Sequence, residues 1–255
     1  MRYYRLPFRF TELYVGSASA LKRHTGIRLL WMLAACALGQ AAFFVFPRLP
    51  ACAEGVFYPG TFLLAVFFLA GTYGALEFSL DRGPGGTRAF LSFGAFYFFR
   101  FLFLETVKLF AIGALIFTGV ELGEARSALI AVSTAAVTAG LAAWAAFFYA
   151  GGVLVTDNVF PFGALRKSMR IARDNPWLTL KLCAVLQWLP LAAFAGLYYL
   201  GSLLPPPADS ILSALGTLIA AWFFLVSTGA ALSCARRRRR RREEDRGEYY
   251  PFKGS

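Results

Sequence analysis

The sequence predicts an all-α fold: a polytopic helix bundle embedded in a membrane. Three observations carry this. Hydrophobic residues make up 58% of the 255 and charged residues only 16%, against about 45–50% and about 25% in soluble chains. The apolar residues gather into six stretches, each near the ~20 residues a helix needs to cross a ~30 Å hydrocarbon layer. Finally, Lys and Arg alternate sides from loop to loop. A soluble fold of this size could not keep 27 phenylalanines and the other apolar side chains from water, because much of its surface must stay exposed.

The six predicted spans cover about 27–47, 57–77, 101–120, 129–153, 177–200 and 210–234. They leave a cytoplasmic N-terminal segment over 1–26, with an interfacial helix, and a basic cytoplasmic tail over 235–255, expected to be disordered at its end. Ala51-Cys52-Ala53 after the first stretch has the small-residue pattern of a signal-peptidase site. The preceding region is long and basic, however, and Pro47 and Pro50 intervene. Span 1 is therefore read as a signal anchor. The run from Ala89 to Val120 contains no proline and would make ~48 Å of helix, too long for one perpendicular crossing. It is divided into an interfacial part over 87–99 and a span from Phe101.

Orientation follows from the basic residues. Arg2, Arg5, Arg9, Lys22 and Arg23 precede span 1, with Arg28 at its very start, and Arg82, Arg88 and Arg100 follow span 2. Arg166, Lys167, Arg170, Arg173 and Lys181 follow span 4. Arg236 to Arg242, Arg246 and Lys253 follow span 6. The opposite loops hold only Arg48 and Arg126, with Glu54, Glu121, Glu124 and Asp209. Both termini are therefore expected in the cytoplasm, and losing one span would put a basic loop on the wrong side.

A basic, helix-favouring stretch precedes each odd-numbered span: Ala20 to Arg23, Thr87 to Phe90 and Ala164 to Lys167. Either the chain repeats a three-fold unit, an interfacial helix plus a hairpin, or it shows only what any six-span chain shows.

The segment Pro161–Asn175 is the most informative polar stretch. Asp157 and Asn158 supply start signals and proline suits the first helical position. Phe162, Leu165, Met169 and Ala172 fall on one arc, flanked by Arg166, Arg170 and Arg173, with Lys167 further round. An apolar stripe with basic flanks suits the membrane interface, where arginines reach lipid phosphates and Trp177 anchors at headgroup level. Arg166, Lys167, Arg170, Arg173 and Trp177 are the candidate contacts to anionic headgroups or a membrane protein partner. The plainer alternative is a connector helix that seats the bundle.

Gly163 to Trp177 also resembles the ALxxSxxLxRxNxW element of a bacterial family of uncharacterised six-span membrane proteins. That family is related to the membrane-anchor domain fused to some glycerophosphodiester phosphodiesterases. The resemblance is specific over about 20 residues and architectural elsewhere. It implies a bacterial multi-span anchor or accessory domain. It does not carry over phosphodiester hydrolysis, which needs paired histidines and carboxylates around a metal, whereas His24 is the single histidine here.

Other features bound the function. The arginine run 236–242 directly follows span 6, as a stop-transfer anchor does, and is worth about 1 kcal/mol per Arg against an anionic leaflet. The acidic stretch after it and the absence of interleaved aromatics argue against nucleic acid. Glu105 and Lys108 lie at i, i+3 in span 3 and can pair; an intramembrane ion pair is either structural or part of a pathway. Gln40 and Gln187 are the only amides inside spans, and nothing signals a discontinuous helix. Ala131, Ala135, Ala139 and Ala143 form a small-residue ladder that makes span 4 the expected centre of the bundle. Gly83-Pro84-Gly85-Gly86 is a turn without a phosphate-loop lysine. Cys36, Cys52, Cys183 and Cys234 have no metal-like spacing and are read as free thiols. No set of catalytic, metal-binding or cofactor-binding residues emerges. The expectation is a non-enzymatic, lipid-interacting accessory or anchoring protein of a bacterial cell membrane. The alternative is a small transporter or channel using Glu105 and Lys108.

Overall fold

The computed structural model describes Ala34 and residues 51–82, 87–125, 130–203 and 208–245. Predicted span 1, the N-terminal interfacial helix with His24, Cys36, the turn at 83–86 and residues 246–255 lie outside the described residues. Every described element is helical. The elements are α1 (Ala51–Arg82), α2 (Thr87–Ala125), α3 (Ile130–Phe147), α4 (Ala150–Thr156), α5 (Pro161–Asp174), α6 (Pro176–Cys183), a π turn (Ala184–Trp188), α7 (Leu189–Ser202) and α8 (Ala208–Asp245). Four stretches among them are long and apolar enough to cross a membrane: Pro59–Phe78, Val132–Thr156, Pro176–Gly201 and Ala214–Arg240. They correspond to predicted spans 2, 4, 5 and 6.

Helices α1 and α2 form an antiparallel hairpin cemented by aromatic rings. Phe67 meets Phe90 edge-on at 6.4 Å, Phe78 lies 5.8 Å from Phe93, and Tyr73 lies 5.3 Å from Phe101 between ring centroids. Gly74 faces Phe93 so closely that a Cβ on it would lie 2.3 Å from the Phe93 Cβ. This register corrects the division of 87–120. No break separates 87–99 from the rest of α2. That stretch packs lengthwise on Phe67–Phe78 of α1 instead of lying flat as a separate interfacial helix. The ring contacts hold it there, and no proline or turn residue interrupts the helix.

The centre of the bundle falls at one end of predicted span 4 and not along its alanine ladder. In α3, Ala135 and Ala139 are exposed and Gly140 is buried, so the alanine ladder does not mark the core. The core runs instead through α4, all seven residues of which are buried. Around α4 stand the buried Phe101, Leu104, Tyr149, Ile171, Leu182, Leu225 and Leu232. Gly152 lets α4 approach α8, since a Cβ there would lie 2.8 Å from the Ala231 carbonyl oxygen. The small-residue contact thus falls near the end of the same predicted span, at Gly152, and not on the ladder. Close backbone approach through glycine is a recognised way to pack helices where water supplies no driving force.

Helix α8 continues past the apolar stretch to Asp245. Residues 235–245 therefore extend a helix and are not a disordered tail. The described thiols Cys183 and Cys234 are free and buried, as expected.

These contacts yield a stability prediction. Gly152→Ala pushes a methyl group into backbone and should destabilise the bundle by about 1–3 kcal/mol, the usual cost of overpacking. Gly113→Ala has nothing within 4 Å of its new Cβ and should match or slightly exceed the parent. Thermal unfolding of the two variants in lipid nanodiscs checks the contrast.

Candidate functional site

Two regions bring polar chemistry together: one end of the bundle, where the basic residues gather, and a cavity at mid-height.

At the basic end, α5 begins at Pro161, where the missing N–H has no intrahelical partner to lose. Asn175 closes the helix: its backbone N–H donates to the Ile171 oxygen at 3.1 Å and its side-chain Nδ2 donates to the same oxygen at 3.3 Å. Helix α6 then starts at Pro176. The expected apolar arc of α5 divides in two. Leu165 turns inward with Pro161, Ala164, Ser168 and Ile171, all buried. Phe162 and Met169 turn outward with Arg166, Arg170 and Arg173, all exposed. Residues 162, 166, 169, 170 and 173 share a face by helical spacing, so cations and apolar side chains are interleaved on the outside. Trp177, on α6, is 75% exposed. Lys167 departs from the candidate group, because its ammonium is ion-paired with Asp157 in the turn before the helix.

The inward face explains why a serine stands in α5. Helices α3 and α4 are one stretch of chain broken at Phe148–Tyr149. The Ser168 hydroxyl donates to the Ala146 oxygen at 2.7 Å and accepts from the Tyr149 N–H at 3.1 Å. One side chain thus satisfies a donor and an acceptor that the break had orphaned. Below it the Tyr149 hydroxyl meets Thr179 Oγ1 at 3.0 Å, which ties α6 to the same point.

The arginine run takes part in this end of the bundle. Arg236 Nε donates to Glu77 Oε2 at 2.8 Å, with the side chains 13% and 17% exposed. Arg238 donates to the Lys167 carbonyl at 3.0 Å and Arg239 to the Thr156 carbonyl at 2.7 Å. Arg100 donates to Asn158 Oδ1 at 2.6 Å, with its guanidinium 5.8 and 5.6 Å from the ring centres of Phe96 and Phe160. Asn158 has φ 47°, a left-handed conformation that asparagine tolerates better than most residues. Residues that the charge rule assigned to one side from three separate places in the chain, Arg100, Lys167 and Arg236 with Arg238 and Arg239, converge on one end. The sequence marks the arginine run as an anchor, but its hydrogen bonds to α1, α4 and α5 join residues 71 to 159 positions apart, beyond any local pattern.

The second region is a cavity of about 750 Å³. Leu69, Trp144, Gln187 and Ser227 line it, and each lies within two residues of the midpoint of one of the four candidate spans. Helix α2 adds Glu105 and Lys108. Lys108 Nζ donates to Glu105 Oε1 at 2.8 Å and Oε2 at 2.9 Å. Arg100 marks the basic end of the bundle, and Lys108 lies eight residues further on, about 12 Å along the helix axis. This is the depth that a span starting at Phe101 implies.

Both neighbouring elements are irregular at this height. The α3–α4 break brings Phe147 and Phe148 to the wall. The π turn brings Gln187, whose Oε1 accepts from Trp144 Nε1 at 2.6 Å. Pro190 follows the π turn and has no N–H to continue a regular ladder. One span is thus interrupted, at Phe148–Tyr149, where the sequence signals no break, and another is locally widened by a π turn without losing its helix. Such π turns are frequent at functional sites. Trp188, in the same turn, keeps a buried indole N–H with no acceptor among the described residues. Among those residues no group of three or more His, Cys, Asp or Glu could hold a metal. No known family, curated protein or solved structure matches this chain.

Ser168→Ala should cost about 1–3 kcal/mol for each buried group it leaves unpaired. Ser233→Ala, which removes only a bond to its own helix at Gly229, should cost much less. Unfolding of both variants in the same nanodiscs distinguishes a general loss of hydroxyl from the repair of the break.

Proposed function

We propose that this chain is a non-enzymatic, six-span protein of a bacterial cytoplasmic membrane, with both termini in the cytoplasm. In this reading it serves as an accessory or anchoring component that engages anionic lipid headgroups, and through them or beside them a membrane protein partner. The observation that carries it is the outer face of α5. Phe162 and Met169 are exposed beside Arg166, Arg170 and Arg173, with Trp177 on the next helix. Water is a poor partner for such apolar groups, whereas the headgroup boundary accepts both the rings and the guanidiniums. The convergence of the basic residues on the same end supports the orientation. The resemblance of Gly163–Trp177 to the six-span family points the same way. Exposed apolar side chains elsewhere on the bundle, such as Phe96, Phe99, Phe110 and Tyr199, suit a surface facing acyl chains.

A small transporter is the second reading, favoured by one observation: Glu105 and Lys108 stand on the wall of a cavity at mid-height.

The lipid reading is tested by extracting the protein into polymer nanodiscs and analysing the lipids that travel with it. Anionic phospholipids should be enriched over the bulk membrane. Arg166→Gln, Arg170→Gln and Arg173→Gln together should abolish the enrichment without altering the fold, since each charge is worth about 1 kcal/mol at an anionic surface. Enrichment unchanged in the triple variant would sink the assignment of α5. The orientation is tested with a membrane-impermeant thiol reagent on intact cells. It should label Cys52 and spare a cysteine introduced at Ser255, and labelling at 255 would overturn the cytoplasmic C-terminus.

A further inference from the structure

We propose that the mid-height cavity is a binding site for a single-chain amphiphile with a zwitterionic head, seated on Glu105 and Lys108. The inference rests on the placement of the bundle in a membrane. It is independent of the outer face of α5.

The wall has one polar region and is otherwise apolar. Glu105 and Lys108 are 19% and 23% exposed at their side chains, so both remain reachable from the cavity. An ion pair in a low-dielectric interior seldom contributes net stability, because desolvation offsets the attraction. A pair left facing open space is better explained by what it can bind. The two charges cancel, which selects the ligand. A head of net charge would leave one of the protein's charges uncompensated. A zwitterion replaces the internal pair with two matched ones, its anion on Lys108 Nζ and its cation on the Glu105 carboxylate. Gln187 adds to this: Trp144 occupies its oxygen, which leaves its amino group to donate. Ser227 also stands on the wall, its hydroxyl donating to the Phe224 oxygen at 2.8 Å, so the hydroxyl lone pairs remain to accept.

The rest of the cavity suits a chain. Phe62, Leu109, Ile112, Phe147, Leu191 and Phe224 are among its walls. Its volume of about 750 Å³ falls within the range of about 300–1,000 Å³ that encloses a drug-sized molecule, room to enclose one acyl chain and too little to enclose both chains of a phospholipid. Leu109, Leu191 and Phe224 are also exposed on the described surface. The cavity therefore opens sideways between α2 and the α7–α8 pair, at the height where acyl chains would lie, and a ligand can enter from the bilayer.

The full chain in lipid nanodiscs is irradiated with lysophosphatidylethanolamine carrying a diazirine midway along its acyl chain, and adducts are mapped by peptide mass spectrometry. Adducts are expected on Leu109, Ile112 and Gly113 and on Leu186, Gln187, Pro190 and Leu191. Gly113→Phe, which adds a ring where a Cβ meets nothing within 4 Å, should reduce them at least tenfold while the unfolding temperature holds. Glu105→Gln with Lys108→Met should reduce labelling by this probe and spare labelling by a monoacylglycerol with the same chain. Adducts confined to the outer residues Phe96, Phe99 and Phe110, or labelling unchanged by Gly113→Phe, would overturn the site. Equal reduction of both probes in the charge variant, or equal use of both by the parent chain, would overturn the zwitterion. A photo-crosslinking amino acid at Leu191 that captures residues 27–47 would show the cavity filled by the chain's own first apolar segment, and would also overturn it.

Discussion

A backbone N–H or C=O inside hydrocarbon has no water to turn to, so a spanning chain must satisfy each one internally. This chain breaks its fourth apolar stretch at Phe148–Tyr149 and meets the obligation with Ser168 from α5, which bonds Ala146 on one side and Tyr149 on the other. Much depends on that repair. It fixes α5 against the break, and α5 then presents Arg166, Arg170 and Arg173 outward. It lets α4 take an independent course into the centre, where Gly152 meets the α8 backbone. It also turns Phe147 and Phe148 toward the cavity. The connector alternative for α5 and the lipid-facing one are therefore not rivals, since the inner face seats the bundle and the outer face stays available.

The basic end is held by the same economy of polar groups. Arg239 caps the last carbonyl of α4, Arg238 reaches a carbonyl of α5, and Arg236 pairs with Glu77 of α1. Guanidiniums suit this work because one planar group offers several donors and stays charged. A partly buried pair such as Arg236–Glu77 is weak evidence for added stability, but breaking it strands a charge. Its structural effect is to fix the ends of helices far apart in sequence relative to one another. Arg166, Arg170 and Arg173 on α5 take no part in these contacts to the helix ends and are exposed.

The cavity sits where an interrupted helix, a helix widened by a π turn and an ion pair meet. A regular α-helix through residues 184–188 would aim Gln187 differently, and an unbroken α3–α4 would not place Phe147 and Phe148 as they stand. Irregular backbone at membrane depth occurs where it is buried in protein or lines a cavity, and both descriptions hold here. Glu105 and Lys108 neutralise each other at 2.8 Å, which lets two charges persist at this depth.

Composition, apolar stretch length and the alternation of Lys and Arg determined from sequence alone that the chain is helical and built for a membrane. Those signals are local and additive, so they survive without knowledge of packing. The start of α5 at Pro161 and its end at Asn175 were also legible, because caps and prolines act within one turn. The Glu105–Lys108 pair was legible for the same reason: its partners are three residues apart. Tertiary structure alone decided the rest. The register of α1 on α2 rests on ring contacts between distant residues, and it made 87–99 part of one long helix. The partner of Ser168 lies 19 to 22 residues away, and Glu77 lies 159 residues from Arg236, beyond any local pattern. The alanine ladder marked the right span but the wrong part of it, because small residues permit close packing without requiring it, and only the neighbouring helix, here α8 against Gly152, determines where it happens.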